Sequence, residues 1–180
     1  EGDALVFIVS SITKKIKEPY MQKITPCLWF NDNAEEAVKF YVSIFKNSKI
    51  TGVTRYGKSA AEASGRPEGT VLTITFELKG QDFMALNGGP VFKFNEALSL
   101  TVNCKTQKEV DYYWGKLSEG GDEKAQVCGW LKDKFGISWQ ITPTAMDKMM
   151  QTKDKKKLAR VTEAFLKMKK FDIAVLEKAF

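Results

Sequence analysis

The sequence predicts an α+β protein of two tandem βαβββ modules followed by a C-terminal helical tail. Three observations predict it. Residues 26–45 and 98–117 share one pattern at an offset of 72, with Leu28 over Leu100, Asn31 over Asn103, Val38 over Val110 and Tyr41 over Tyr113. A second pair of segments repeats at an offset of 56, Gly80 over Gly136 and Phe83 over Trp139. Beyond Pro143 the β-rich alternation gives way to apolar residues at helical spacing.

Residues 1–20 stand outside the repeat. Pro19 breaks the chain just before Met21, which reads as a natural start, so 1–20 is expected to be an appended extension, with an edge strand over Leu5–Ser10. The paired domain is expected over 21–143, in modules of about 21–90 and 91–143, with the tail over 144–180. Ile24–Phe30 is rich in β-formers, and Pro26 suits a strand start or edge. Asn33 precedes Glu36 by three residues, a capping-box variant opening a helix over about 34–46. Ala37, Phe40, Tyr41, Ile44 and Phe45 form its apolar stripe. Lys49–Tyr56 reads as a strand and Gly57–Gly69 as a mobile Gly/Ala/Ser loop. Thr70–Leu78 and Asp82–Asn87 form a hairpin turned by Lys79-Gly80-Gln81.

The second module repeats the plan. Leu98–Cys104 is a strand, Thr106 and Glu109 a capping box, and the helix runs to about Ser118. Gly120-Gly121 breaks it. Strands are expected at Val127–Lys132 and Ile137–Thr142, with a turn through Gly136. The tail reads as two helices about the 154–157 region. Val161, Ala164, Phe165 and Met168 mark one apolar face, and Ile173, Leu176 and Phe180 the other.

Composition excludes several function classes. At 180 residues, 43% hydrophobic and 28% charged, the chain has the make-up of a soluble globular protein. No apolar run approaches the ~20 residues that span a bilayer. The absence of histidine removes His-based acid–base catalysis, the His-dependent triads and the commonest metal ligand. Cys27, Cys104 and Cys128 lack CxxC spacing and read as reduced structural thiols of a cytoplasmic protein. The net charge of +6 gathers in the last 40 residues, from Lys148 to Lys178. Phe165 and Phe171 are too few among those lysines to form a base-stacking surface, so a solvated helix face is expected rather than a nucleic-acid or membrane surface.

The segments ITPCLWFNDNAEEAVKFY (24–41), FMALNGGPVFKFNEALS (83–99), TQKEVDYYWGKL (106–117), CGWLKDKFGISWQITP (128–143) and KKFDIAVLEKAF (169–180) carry a resemblance. Together they resemble the vicinal oxygen chelate superfamily of glyoxalases, extradiol dioxygenases and bleomycin-resistance proteins. The nearer resemblance is to its PhnB-like branch, labelled 3-demethylubiquinone-9 3-methyltransferase domains. The resemblance covers about 21–180 and implies a cupped mixed sheet, a metal at the pseudo-symmetric centre in the metal-bearing members, and a homodimer. In those members one ligand of each module lies 14 residues before the helix's aromatic pair, which falls here on Pro26 and Leu98. The other two lie four residues past the hairpin glycine, on Met84 and Gln140. Proline and leucine offer no ligating side-chain atom, methionine is soft and glutamine weak, so no metal is expected at this tetrad.

If those four positions face the cup, strand alternation places Leu28, Phe30, Asp82, Leu86, Leu100, Val102, Ser138 and Thr142 with them. Trp29, Phe83, Trp139 and Ile141 then lie under the helices. The expected ligand pocket is Pro26, Leu28, Phe30, Met84, Leu86, Leu98, Leu100, Ser138 and Gln140, with Asn87, Trp130 and Phe92 at its rim. Gln140 is the foremost candidate for a ligand hydrogen bond. Catalytic residues stay unassigned.

The expected function is metal-independent binding of a small apolar or aromatic molecule, without a cofactor, in the manner of bleomycin-resistance proteins. The alternative is methyl transfer to a demethylubiquinone-like substrate, as the family label states. It would need S-adenosylmethionine, and Asn87-Gly88-Gly89-Pro90 lacks the setting of a nucleotide-binding turn. A metal-dependent lyase or dioxygenase is disfavoured by the tetrad.

Overall fold

The computed structural model describes residues 23–180, so the expected extension at 1–20, its edge strand and Met21 lie outside the described residues. The first module runs β1 (Cys27–Phe30), α1 (Ala34–Ile44), β2 (Lys49–Arg55), α2 (Lys58–Ser64), β3 (Val71–Leu78) and β4 (Gln81–Asn87). The second runs β5 (Ser99–Cys104), α3 (Gln107–Ser118), β6 (Asp122–Val127), β7 (Trp130–Lys132) and β8 (Ser138–Pro143). The tail holds α4 (Ala145–Met150), α5 (Lys155–Leu166) and α6 (Ile173–Ala179).

Each module forms a four-stranded mixed sheet, in the orders β1-β4-β3-β2 and β5-β8-β7-β6. β1 pairs parallel with β4, and β5 parallel with β8, while the remaining pairs are antiparallel. The two topologies are identical, so the α+β class and its repeat stand as expected. Both sheets share one apolar core with α1 and α3. Phe45 of the first module stacks on Tyr113 at 5.1 Å and on Trp139 at 5.6 Å, both of the second. Tyr112 donates its hydroxyl to the Ile44 carbonyl at 3.0 Å, closing the C-terminal end of α1 against α3.

Four local expectations need correction. The Gly57–Gly69 segment is not a plain loop: Lys58–Ser64 is helical, and Gly65 ends it in the left-handed conformation at φ 72°. Alanines at 60, 61 and 63 supply helix propensity that the flanking glycines mask in a composition window. The expected strand Val127–Lys132 is broken by a two-residue hairpin turn. Cys128 and Gly129 both have positive φ, 49° and 80°, as that turn requires. The tail has a third helix, α4. Finally, Asn33 does not cap α1 with its side chain.

The helix ends show how differently the modules achieve one shape. α3 is capped locally: Thr106 Oγ1 accepts from the Glu109 N–H at 3.2 Å, and a Glu109 carboxylate oxygen accepts from the Lys105 N–H at 2.6 Å. α1 is capped from 53 residues away, where Asn87 Oδ1 accepts from the Ala34 N–H at 2.9 Å.

The tail has a core of its own around Met146, Met149, Val161, Phe171 and Leu176. It is fastened to the second module by backbone. The Cys128 and Gly129 N–H groups donate to the Met168 and Lys169 carbonyls, each at 2.8 Å. A Cβ on Gly129 would lie 2.3 Å from the Phe171 ring, so glycine is required there by contact as well as by φ. Among the described residues no helix is long and apolar enough to cross a membrane.

Candidate functional site

Strand register decides which residues share a face. In the first sheet Leu28 pairs with Ala85 and Ile74 with Ala85, placing Leu28, Phe30, Ala85, Ile74 and Phe76 together beneath α1. Cys27 pairs with Met84 and Trp29 with Leu86, so these occupy the opposite, open face with Thr73 and Thr75. In the second sheet Leu100 pairs with Trp139 and Val102 with Ile141 on the helix side. Ser99, Thr101, Ser138, Gln140 and Trp130 lie on the open side.

The expected alternation therefore holds for half of the residues and inverts for the others. Met84 and Leu86 share the open face of their sheet, and Ser138 and Gln140 that of theirs. Leu28 and Phe30 do not join Met84; they are 3% and 2% exposed, in the core. Leu100 and Val102 likewise turn toward α3, and Trp29, expected under the helices, lies on the open face. The cause is the counting route. Pro26 and Leu98 are reached by counting back from a helix through a turn, and an odd change in turn length exchanges the two faces. Met84 and Gln140 are counted within a hairpin, where register is strict.

The remaining expected residues are also placed. Asn87 is buried and internally bonded: besides capping α1, its Nδ2 donates to the Val71 carbonyl at 3.1 Å. Gln140 Nε2 donates to Ser99 Oγ at 2.8 Å. Trp130 sits beside Gln140 across the strands. Phe92 is exposed and meets Trp29 edge-on at 4.9 Å.

Of the cavities along the seam between the modules, two hold aliphatic residues of the expected pocket. The larger, of about 560 Å³, has apolar walls from Phe45, Leu78, Phe83, Leu100, Tyr113 and Trp139. Pro26 and the edge residues Ser99, Thr101 and Asn103 complete it, with Lys79, Gln81 and Glu109 supplying polarity. The smaller, of about 150 Å³, brings together Leu28, Leu98, Leu100 and Ser138 of the expected set. Leu100 borders both. Of the expected pocket, Phe30, Met84, Leu86 and Gln140 line neither cavity, nor do the expected rim residues Asn87, Trp130 and Phe92.

The group that sequence reasoning missed is Asp133, 3% exposed at the module junction. Its carboxylate accepts four bonds: from Tyr41 Oη and Trp139 Nε1, both at 2.8 Å, and from the Phe135 and Ile137 N–H groups at 2.9 and 3.0 Å. Burial pushes its pKa above the usual carboxylate range, and the four donors only partly offset that. Burial and the adjacent carboxylate push the Tyr41 hydroxyl well above its ordinary value. Tyr41 thus keeps its proton and is a fixed hydrogen-bond donor to Asp133. The signal in the sequence was slight: an aspartate three residues before Gly136, whose side chain bonds the backbone two residues on, an Asx turn.

The cysteines are free thiols. Burial raises the Cys104 thiol to about 11, with Glu109 adding to the shift, and burial also raises Cys27. Neither has the lowered pKa of a nucleophilic cysteine.

The metal that the resemblance brings to mind finds no suitable donor set. Met84 lies on an open face beside Cys27, Gln140 is bonded to Ser99, and Pro26 and Leu98 carry no donor. Among the described residues no group of three or more His, Cys, Asp or Glu side chains is placed to hold an ion.

Two modules of identical mixed topology, packed through one shared helix layer, define a protein of the glyoxalase fold. The chain belongs to the family described as 3-demethylubiquinone-9 3-methyltransferase, whose model matches residues 22–142. A PhnB protein from Bacillus cereus that carries the name of that methyltransferase is 38% identical. The match covers 68% of this chain and 100% of that one, with a TM-score of 0.60. A Pseudomonas aeruginosa protein, 20% identical over 68% of this chain and 98% of its own, shares the fold at a TM-score of 0.52. No curated protein matches the chain.

Proposed function

We propose that this protein binds a small, neutral, apolar or aromatic molecule in the larger cavity between its modules, without a metal. The observation that carries the reading is the wall chemistry. Phe45, Phe83, Tyr113 and Trp139 present ring surface around a space of about 560 Å³, within the range of small-molecule sites. The polar residues lie at the rim and are in part already used, since the Glu109 carboxylate holds the Lys105 N–H and Ser99 Oγ holds Gln140. Such a site rewards ring burial and tolerates a polar substituent near Gln81 or Asn103.

Trp139 in the wall makes the test direct. Naphthalene titrated into the full chain should quench tryptophan fluorescence saturably. Thr101→Trp, at an exposed cavity-lining position, should weaken that binding tenfold or more. Native mass spectrometry of gently purified protein should show a retained organic adduct. A stoichiometric divalent metal, or no saturable quenching, would overturn the reading.

A second reading, methyl transfer, is favoured by the family's description and the name of the Bacillus cereus protein. The glycine turn lends it no cofactor site. The Gly88 and Gly89 N–H groups already donate to the Phe30 and Asn31 carbonyls, and a Cβ on Gly88 would lie 2.2 Å from the Trp29 ring. Formation of S-adenosylhomocysteine with a demethylubiquinol analogue would establish this reading in place of the first.

We also propose a homodimer. Trp29, Met84 and Leu86 on one open face, with exposed Phe92 beside them, supply apolar surface for a second copy. A monomer by light scattering at micromolar concentration would rule it out.

A further inference from the structure

Ser138 is 2% exposed, and its Oγ has no hydrogen-bond partner among the described residues. A buried hydroxyl without a partner is unfavourable. Its neighbour in register, Ser99, makes no bond to it and instead accepts from Gln140 Nε2 at 2.8 Å. Ser138 lines the smaller cavity of about 150 Å³, whose other walls include Leu28, Phe94, Leu98, Leu100 and Ile137. Lys93 and Asn95 stand at its exposed edge, and Ser138 carries the one buried polar side chain among its walls, a specific chemical demand in a space of that size.

We propose that this cavity is a second binding site, for a single apolar ring bearing one hydrogen-bonding substituent, such as a phenol, with Ser138 Oγ bonding the substituent. Size and chemistry agree. An apolar cavity of roughly 150 Å³ takes up a benzene-sized molecule. The hydroxyl both donates and accepts, so it suits an OH or a carbonyl. Phe94, held edge-on to Phe30 at 5.2 Å, supplies a fixed aromatic wall. The chain from Lys93 to Leu98 covers the site, and Leu98 is 64% exposed at its outer side, so entry requires movement of the linker between modules and not of a sheet. The site is distinct from the larger cavity, although both border Leu100, and it stands or falls separately from the proposed function.

The test uses the full chain with phenol and benzene as probes, followed by methyl-resolved NMR. Phenol should shift the Leu28, Leu100 and Ile137 methyl signals saturably and show direct magnetisation transfer to them. It should bind about three- to tenfold more tightly than benzene, the value of one net hydrogen bond. Ser138→Ala should abolish that preference while leaving benzene binding intact. Should that variant not fold, the phenol-over-benzene ratio in the unaltered chain decides alone. Equal affinity for the two probes, absence of saturable shifts at these methyls, or a bound water on Ser138 that phenol does not displace would overturn the proposal. Naphthalene quenching of Trp139 without any phenol response would overturn this inference and leave the larger site standing.

Discussion

Tyr41 and Tyr113 hold equivalent places in the two modules, yet they serve different purposes. Tyr41 reaches out of the first module to donate a hydrogen bond to buried Asp133 in the second, at 2.8 Å. Tyr113 remains in the apolar layer, stacked on Phe45. The residue that corresponds to Asp133 at the offset of 56 is Glu77, which pairs instead with Lys49 at 3.7 Å in a partly exposed position. A repeat thus preserved its shape while only one of its two tyrosine–carboxylate relations became a joint. Burial makes the difference. In the interior an unpaired donor or carboxylate is costly, so a fully bonded aspartate specifies one arrangement of the modules, whereas at the surface the same pairing adds little.

The largest expected effect breaks this joint. Asp133→Ala should strand the Tyr41 hydroxyl, the Trp139 indole N–H and two backbone donors, at about 3–5 kcal/mol in urea unfolding. Glu77→Ala should stay within about 0.5 kcal/mol. Equal losses at the two sites would show that the asymmetry has no energetic meaning.

The helix caps offer a second, smaller comparison. Asn87→Ala removes both the cap of α1 and the bond to Val71 from a buried site, at about 2–3 kcal/mol. Thr106→Ala removes a local, exposed cap and should cost about 1 kcal/mol. Thermal melts of the two variants check the order. A Thr106 variant that loses more than the Asn87 variant would mean that α3, not α1, depends on its cap.

A last comparison concerns pH and the cysteines. Cys104 titrates near 11 in the folded chain against an ordinary 9.0, so its folded pKa is raised. The resulting stability is complete below about pH 9 and is lost as pH rises through 11, at no more than about 1.4 kcal/mol per pH unit. Stability of the native chain relative to Cys104→Ala should therefore decline across that window. At pH 8, iodoacetamide should label exposed Cys27 in the folded chain and reach Cys104 only on unfolding. Simultaneous labelling of both would contradict the burial of β5.

Repetition made the architecture legible. The paired offsets and β-rich alternation placed seven of the eight strands among the described residues and both module helices, because strand alternation and helical spacing are local properties of the chain. The strand they missed, β6, begins Asp122-Glu123-Lys124, a polar start that hides β-structure paired only along one edge. α4 was missed because its buried methionines, Met146 and Met149, find their apolar partners in α5 and α6, too far along the chain to register as a pattern.

The candidate site was less legible. Of the expected pocket, Leu28, Leu98, Leu100 and Ser138 border one seam cavity, while Met84, Leu86 and Gln140 border neither. Hairpin register is set by a short turn, so Met84 and Gln140 both keep to the open faces of their sheets. Leu28 and Leu100 take the opposite faces, because one residue in a strand–helix turn reverses a face. The sequence alone determined the fold class, the two-module plan and the lack of histidine chemistry. Tertiary structure alone decided which carboxylate is buried, which asparagine caps α1 and where a ligand-sized space opens. Those outcomes depend on contacts between residues tens of positions apart, whose free energies are set by burial and by the partners that burial provides.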